Sequence, residues 1–285
     1  MTTAPYRQAP LRSVTTCLGW RVESWEQPSG DAASQDATLV WPHPSGRFLR
    51  VAVLDGVTPT AGCRTVVGVA GAMYAAAVAR LALQHPERPL DQCVHAANLH
   101  LHDRGVARSR DQAQTCVTAA DVFADGRAEV VRAGDCECWA RADDDWVPLG
   151  CGTALTQRAA AAWEAWQRDH RTVGRAVRHE AEERLLGDPQ AWTSTALGRF
   201  ARPVLRRFTM EGASELVLAS DGARLSEPML DDLPSWVGGL RRWERERAHL
   251  GVAAGKVHDD VAVLRLRRLS TAAALPALRE DLRAA

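Results

Sequence analysis

Lysine is almost missing from this 285-residue chain: Lys256 is the only one, and arginine supplies the rest of the 35 basic residues. That bias reads as GC-rich coding rather than as chemistry. A net charge is missing too, because 35 Lys and Arg balance 35 Asp and Glu. A general polyanion binder is normally basic, so no nucleic-acid partner is expected. No run is long and apolar enough to span a bilayer, so no membrane partner is expected either. The opening MTTAPYRQAPLRSVTTCLGW lacks the apolar core of a signal peptide, which makes the cytoplasm the expected compartment. The seven cysteines agree, being odd in number and without a CxxC pair. Cys136 and Cys138, two apart in an expected strand, share a face. They read either as two small buried side chains, the commoner case, or as a metal or redox pair. A Gly-rich phosphate cradle of the Walker or Rossmann type is also absent, which leaves nucleotide binding without support.

What is present is an ordinary globular composition, 46% apolar and 25% charged. Strand-like runs fall at 36–41, 47–55, 115–123, 127–134, 215–222 and 261–268, with two more in CECWARA and DWVPLG. Ala124-Asp125-Gly126 is a hairpin signal. Helical stretches are expected at about 62–83, 90–106, 157–186 and 228–250. The first is apolar on most sides, which suggests burial between other elements. Strands arrive as consecutive hairpins and helices in blocks, which predicts an α+β fold with antiparallel sheets. A loose arm over 1–18, one domain over 19–268 and a helical tail over 269–285 are the expected divisions.

The chemistry concentrates in aspartates at strand ends. VAVLDG ends at Asp55 and Gly56, LVLASDG ends at Asp221 and Gly222, AGDCECW carries Asp135, and HDDVAVL puts Asp259 and Asp260 before a strand. Any one Asp-Gly is an ordinary turn dipeptide. Four together are more telling, because converging carboxylates repel and a divalent cation is the cheapest way to keep them ionised. Oxygen donors suit magnesium or manganese.

The set, in its order, resembles the metal-dependent protein phosphatase family (PPM, the type 2C serine/threonine phosphatases). Gln35-Asp36, VLDG (53–56), AGDCECW (133–139), TSTALGR (193–199), LASDGARL (218–225) and HDDVAVL (258–264) carry the resemblance, over about residues 30–268. It implies a four-layer α-β-β-α sandwich of two antiparallel sheets flanked by helices. It also implies two Mg or Mn ions, with a third, weaker one beside Asp135. Asp55 would bridge the two ions, the Gly56 carbonyl would bind one, and Asp221 and Asp259 would hold the other; Asp36 and Gln35 are secondary candidates. A water shared by the two cations becomes acidic enough to attack phosphorus in line. The implied activity is serine/threonine phosphoprotein dephosphorylation, a signalling function, with a phosphoprotein substrate or a partner kinase. The charged stretch near 157–190 falls where family members carry a flap.

Two departures bear on activity. Asp31 stands where the family has a phosphate-binding arginine, and Gln35 stands where it has a glutamate. Arg50, Arg64 and Arg224 are candidate replacements for the cation, and His43, His95, His100 and His102 are candidates for the general acid. The alternative reading is a pseudophosphatase that keeps the fold and acts as a binding or regulatory module.

Overall fold

The computed structural model describes residues 11–29, 34–57, 68–107, 113–149, 196–198, 201–203, 205–223, 225, 227–247 and 260–269. Its first sheet contains β1 (Leu11–Cys17), β2 (Trp20–Gln27), β7 (Glu137–Ala142), β8 (Asp145–Pro148), β10 (Glu215–Ala219) and β11 (Val261–Arg268). They are ordered β1-β2-β11-β10-β7-β8. The second contains β3 (Ala37–Pro42), β4 (Leu49–Val57), β5 (Gln114–Val122), β6 (Ala128–Ala133) and β9 (Arg206–Met210), ordered β3-β4-β5-β6-β9. Every pairing is antiparallel.

The strands at the centre of each sheet read as unbroken apolar runs because both of their faces are covered. In β4, Val51 and Val53 meet Leu218, Leu264 and Leu266 of the opposite sheet, while Ala52 and Leu54 turn outward. A helical layer receives them. Helix α1 (Gly68–Leu83) lays Ala72, Ala75, Ala76, Ala79 and Leu83 on that surface. Helix α2 (Leu90–Ala107) adds Leu90, Cys93, Val94, Ala97 and Leu101, the i, i+3, i+4, i+7, i+11 stripe of an amphipathic helix. On the far side, α3 (Glu227–Leu230) and α4 (Leu233–Arg247) cover the first sheet. There Leu233, Val237 and Leu240 pack against Trp25, Trp139, Val217 and Val263. The result is the four-layer α-β-β-α sandwich the resemblance implied. No described helix is long and apolar enough to cross a membrane.

Three expectations need correction. Residues 11–17, assigned above to a loose arm, form β1, paired residue for residue with β2 from Leu11↔Glu26 to Cys17↔Trp20. β2 itself, WRVESWEQ, was not expected as a strand, because its charged and polar residues hide the period; Glu23 and Ser24 are buried. Helix α1 is not enclosed on all sides, since Met73 and Leu81 are exposed. Its start before Gly68, the stretch at 157–190 and the tail from residue 270 lie outside the described residues.

Candidate metal centre

Strand register brings the aspartates to one rim. In the second sheet Asp55 lies opposite Cys116, and Val117 opposite Ala133, so the turn at Gly134-Asp135 follows directly beside it. In the first sheet Ala219 lies between Glu137 and Val263, which puts Asp221, just past the end of β10, at the same end as the start of β7 and of β11. Asp36 arrives on the strand next to β4, where Ala37 faces Leu54.

The electrostatics record the convergence. The Asp55 carboxyl is held well above the usual carboxylate range, first by burial, then by the charges of Asp36, Asp221 and Asp135, with a hydrogen bond to Asp221. Carboxylates at such distances cannot all stay ionised without a counter-charge. A carboxylate oxygen each from Asp55 and Asp135 and the Cys136 sulfur lie within 4.8 Å of one another. An oxygen of Asp135 is buried without a hydrogen bond. The donor set and its repulsion therefore fit a divalent cation.

The backbones that carry these side chains are pinned by buried hydroxyls and one further carboxylate. Thr115 Oγ1 donates to the Asp55 carbonyl at 2.8 Å, and Thr118 Oγ1 donates to the Cys136 carbonyl at 3.0 Å. Ser220 Oγ accepts the Ala262 amide at 2.9 Å, and the Ser220 amide donates to the Ala262 carbonyl at 2.9 Å, so the turn at Asp221 is fastened to β11. Asp260 accepts the amides of Ser29 at 2.6 Å and Gln35 at 2.7 Å. Arg241 of α4 reaches the carbonyls of Gln27 and Pro28, holding the entry to the same loop. Glu26 accepts both the amide and the hydroxyl of Thr38, tying the two sheets together next to Asp36. None of these supports was singled out in the sequence. Only Asp260 left a signal, as the second carboxylate of HDDVAVL.

Gly56 has a packing reason to be glycine besides close approach to a ligand. A Cβ there would sit 2.6 Å from the Gln35 carbonyl oxygen and 2.9 Å from the Ala72 methyl. The glycine therefore lets the Gln35-Asp36 segment and α1 close around the end of β4.

Several candidate residues sit elsewhere. Arg50, offered above as a phosphate-binding cation, is buried and committed: Nε and Nη2 clasp Asp121 at 2.7 and 2.8 Å, and Nη1 donates to the Leu83 carbonyl at 2.9 Å. It lies five residues from Asp55 along β4, roughly 16 Å at about 3.3 Å per residue. His43 is farther still along the strand pair, wedged between Trp41 and Phe48, with its ring nitrogens on Ser45 and the Pro86 carbonyl. His100 is exposed and bonded to Tyr74, and His95 and His102 lie on the same helix, α2. Among the described residues, the group of close ligand atoms contains no histidine. Asp259, Arg64, Arg224 and Asp31 lie outside the described residues.

No family model matches the sequence, and no curated protein matches it. Solved structures do. The chain is similar to RsbX, in a complex with magnesium, at 8% identity and a TM-score of 0.56, covering 90% of this chain and 99% of that one. It is similar to the serine/threonine phosphatase Stp1 from Staphylococcus aureus at 12% identity and a TM-score of 0.54, covering 91% and 100%. For the Mycobacterium tuberculosis serine/threonine phosphatase PstP/Ppp the values are 19% and 0.50, with 88% and 99% covered. The fold is that of the bacterial PPM-type serine/threonine phosphatases. At these identities the likeness is one of fold, and that fold is the one the sequence motifs implied.

Proposed function

We propose that the protein is a metal-dependent phosphatase that hydrolyses phosphate monoesters of serine and threonine in proteins, with Mg or Mn as its cofactor. The observation that carries the reading is the crowding of Asp36, Asp135 and Asp221 around Asp55, which drives the Asp55 carboxyl upward in the absence of a cation. Asp55, the Gly56 carbonyl, Asp221 and Asp259 would hold the principal ions. Asp135 would serve a further, weaker ion, and Asp36 is a secondary candidate ligand. Gln35 contributes at most a neutral oxygen. When bound, such ions supply positive charge for the phosphoryl oxygens and acidify water. The chain's own part is orientation: Thr115, Thr118, Ser220 and Asp260 fix the backbones from which the ligands project, so little reorganisation is needed on binding.

With Arg50 committed to Asp121, Arg64 and Arg224 are the remaining sequence candidates for the substrate phosphate. The assignment is tested by phosphate release from an aryl phosphate in Mn2+ or Mg2+. Turnover that needs metal and is lost in both Asp55→Asn and Asp221→Asn supports it. Wild-type protein that binds Mn2+ and stays inert on every phosphoester overturns it in favour of the second reading. That reading, a pseudophosphatase acting as a binding module for a kinase or other regulator in the cytoplasm, is favoured by Gln35 and Asp31 in place of a charged ligand and a phosphate-binding arginine.

A further inference from the structure

We propose that Cys136 turns one corner of the carboxylate cluster into a site for a thiophilic divalent cation such as Zn2+, Co2+ or Cd2+, held by Asp55, Asp135 and the Cys136 sulfur. This rests on the reading of the cluster as a cation site and adds a preference that aspartates alone would not give.

Cys136 is fully buried in the apolar layer between the sheets, where a cysteine is usually a small hydrophobe. Its surroundings differ from that ordinary case. The sulfur lies within 4.8 Å of an oxygen of Asp55 and an oxygen of Asp135, and those two oxygens also lie within 4.8 Å of each other. The thiol is reduced and has no hydrogen-bond partner among the described residues. An apolar side chain at this position would strip water from two carboxylates and give nothing back. A sulfur can serve as a third donor. With zinc–oxygen bonds of about 2.0–2.2 Å and zinc–sulfur bonds of about 2.3 Å, a tetrahedral ion holds its donors roughly 3.5 Å apart. The three atoms lie within 4.8 Å of one another, close enough for small side-chain adjustments to bring them onto one cation.

The turn that presents the group is built for it. Gly134 has a φ of +98°, and a Cβ there would fall 2.3 Å from the Cys116 Cβ and 2.4 Å from its sulfur. Only glycine lets Cys116 pack beneath Asp135. The Thr118 hydroxyl, donating to the Cys136 carbonyl at 3.0 Å, holds the following residue. Two carboxylates alone favour Mg2+ or Mn2+; a thiolate beside them shifts preference to borderline and soft ions. Binding exchanges the thiol proton for the metal: the S–H bond breaks, an S–metal bond forms, and one proton leaves to solvent. No electron is transferred. Because Asp55 is common to both sets, such an ion competes directly with Mg2+ or Mn2+.

The test is a titration of the metal-free full-length protein with Co2+, followed by absorption spectroscopy, beside Mn2+ calorimetry on the same sample. The expected result is a near-ultraviolet thiolate-to-cobalt charge-transfer band in the wild type and in Cys116→Ser. It disappears in Cys136→Ser, while Zn2+ affinity falls on the order of tenfold or more and Mn2+ affinity moves far less. The wild-type spectrum needs no variant and so does not depend on how well Cys136→Ser folds. Mn2+ binding together with a Co2+ complex that shows no such band overturns this inference and leaves the phosphatase reading standing. A band that survives Cys136→Ser and vanishes in Cys116→Ser also overturns it. Protein that binds neither ion overturns both.

Discussion

Asp260 grips the backbone of Gln35: its Oδ2 accepts the Gln35 amide at 2.7 Å while its Oδ1 accepts the Ser29 amide at 2.6 Å. The carboxylate is buried and is the point where the last strand meets the loop that delivers Asp36. Asp260→Ala leaves two amides without their acceptor, at a cost of about 1–3 kcal/mol in urea unfolding. It also weakens Mn2+ binding in calorimetry, because Asp36 loses its support. Asp260→Asn keeps one acceptor oxygen and falls between the two. An Asp260→Ala protein with wild-type stability and wild-type Mn2+ affinity would refute this role.

Asp55 sits at the centre of a repulsive cluster, so removing its charge relieves the metal-free protein. Asp55→Asn is expected to melt no lower than the wild type in chelator. The wild type gains stability as Mn2+ is added, by about 2.7 kcal/mol at a hundred times Kd. The variant gains none. Thermal melts with and without Mn2+ read both halves of the prediction.

The pH dependence has a definite sign. Burial and the neighbouring carboxylates raise the Asp55 carboxyl in the folded, metal-free chain above its unfolded value. The native state then holds a proton that the unfolded state has released, so this group's contribution is fully present below the ordinary carboxylate range. It is lost as pH rises through the raised folded value. Metal displaces that proton, so Mn2+ affinity rises with pH across the same window and binding releases protons. Calorimetry in buffers of different ionisation enthalpy measures the release; an affinity that falls with rising pH would contradict it.

Arg50 and Asp121 form a buried bidentate pair that also caps the end of α1 at Leu83. Burial raises the Asp121 carboxyl, and the hydrogen bond and charge of Arg50 only partly offset it. Breaking the pair from one side, as in Arg50→Met, is expected to cost about 3–5 kcal/mol. Replacing both partners with apolar residues costs less than the two single changes summed. KM for an aryl phosphate stays unchanged in whatever fraction remains folded, since the guanidinium is not at the site.

Much of the architecture was legible because the central strands are buried on both faces. VAVLD and VAVLRLRR announce themselves as apolar runs, and their terminal aspartates follow the register to one rim. β2 was not legible, since Glu23 and Ser24 are polar residues buried in it and break the apolar alternation; Arg12 of the neighbouring β1 and Arg21 of β2 itself serve Glu23. Arg50 was misleading for a related reason. A single arginine in a strand looks available until its bidentate partner, 71 residues away, is seen. Cys136 read first as a core residue, and it is one; Asp135 is its chain neighbour, but its approach to Asp55 exists only after the sheets stack. Asp259 remains a proposal from the motif, next to the described Asp260.

The most direct measurement is phosphate release from a phosphothreonine peptide, with Mn2+ present and then removed by chelator, for the wild type and Asp55→Asn. The account predicts turnover in the wild type that stops on chelation, returns with Mn2+, and is absent in Asp55→Asn at every metal concentration. Turnover that survives chelation, or that persists in Asp55→Asn, would contradict it.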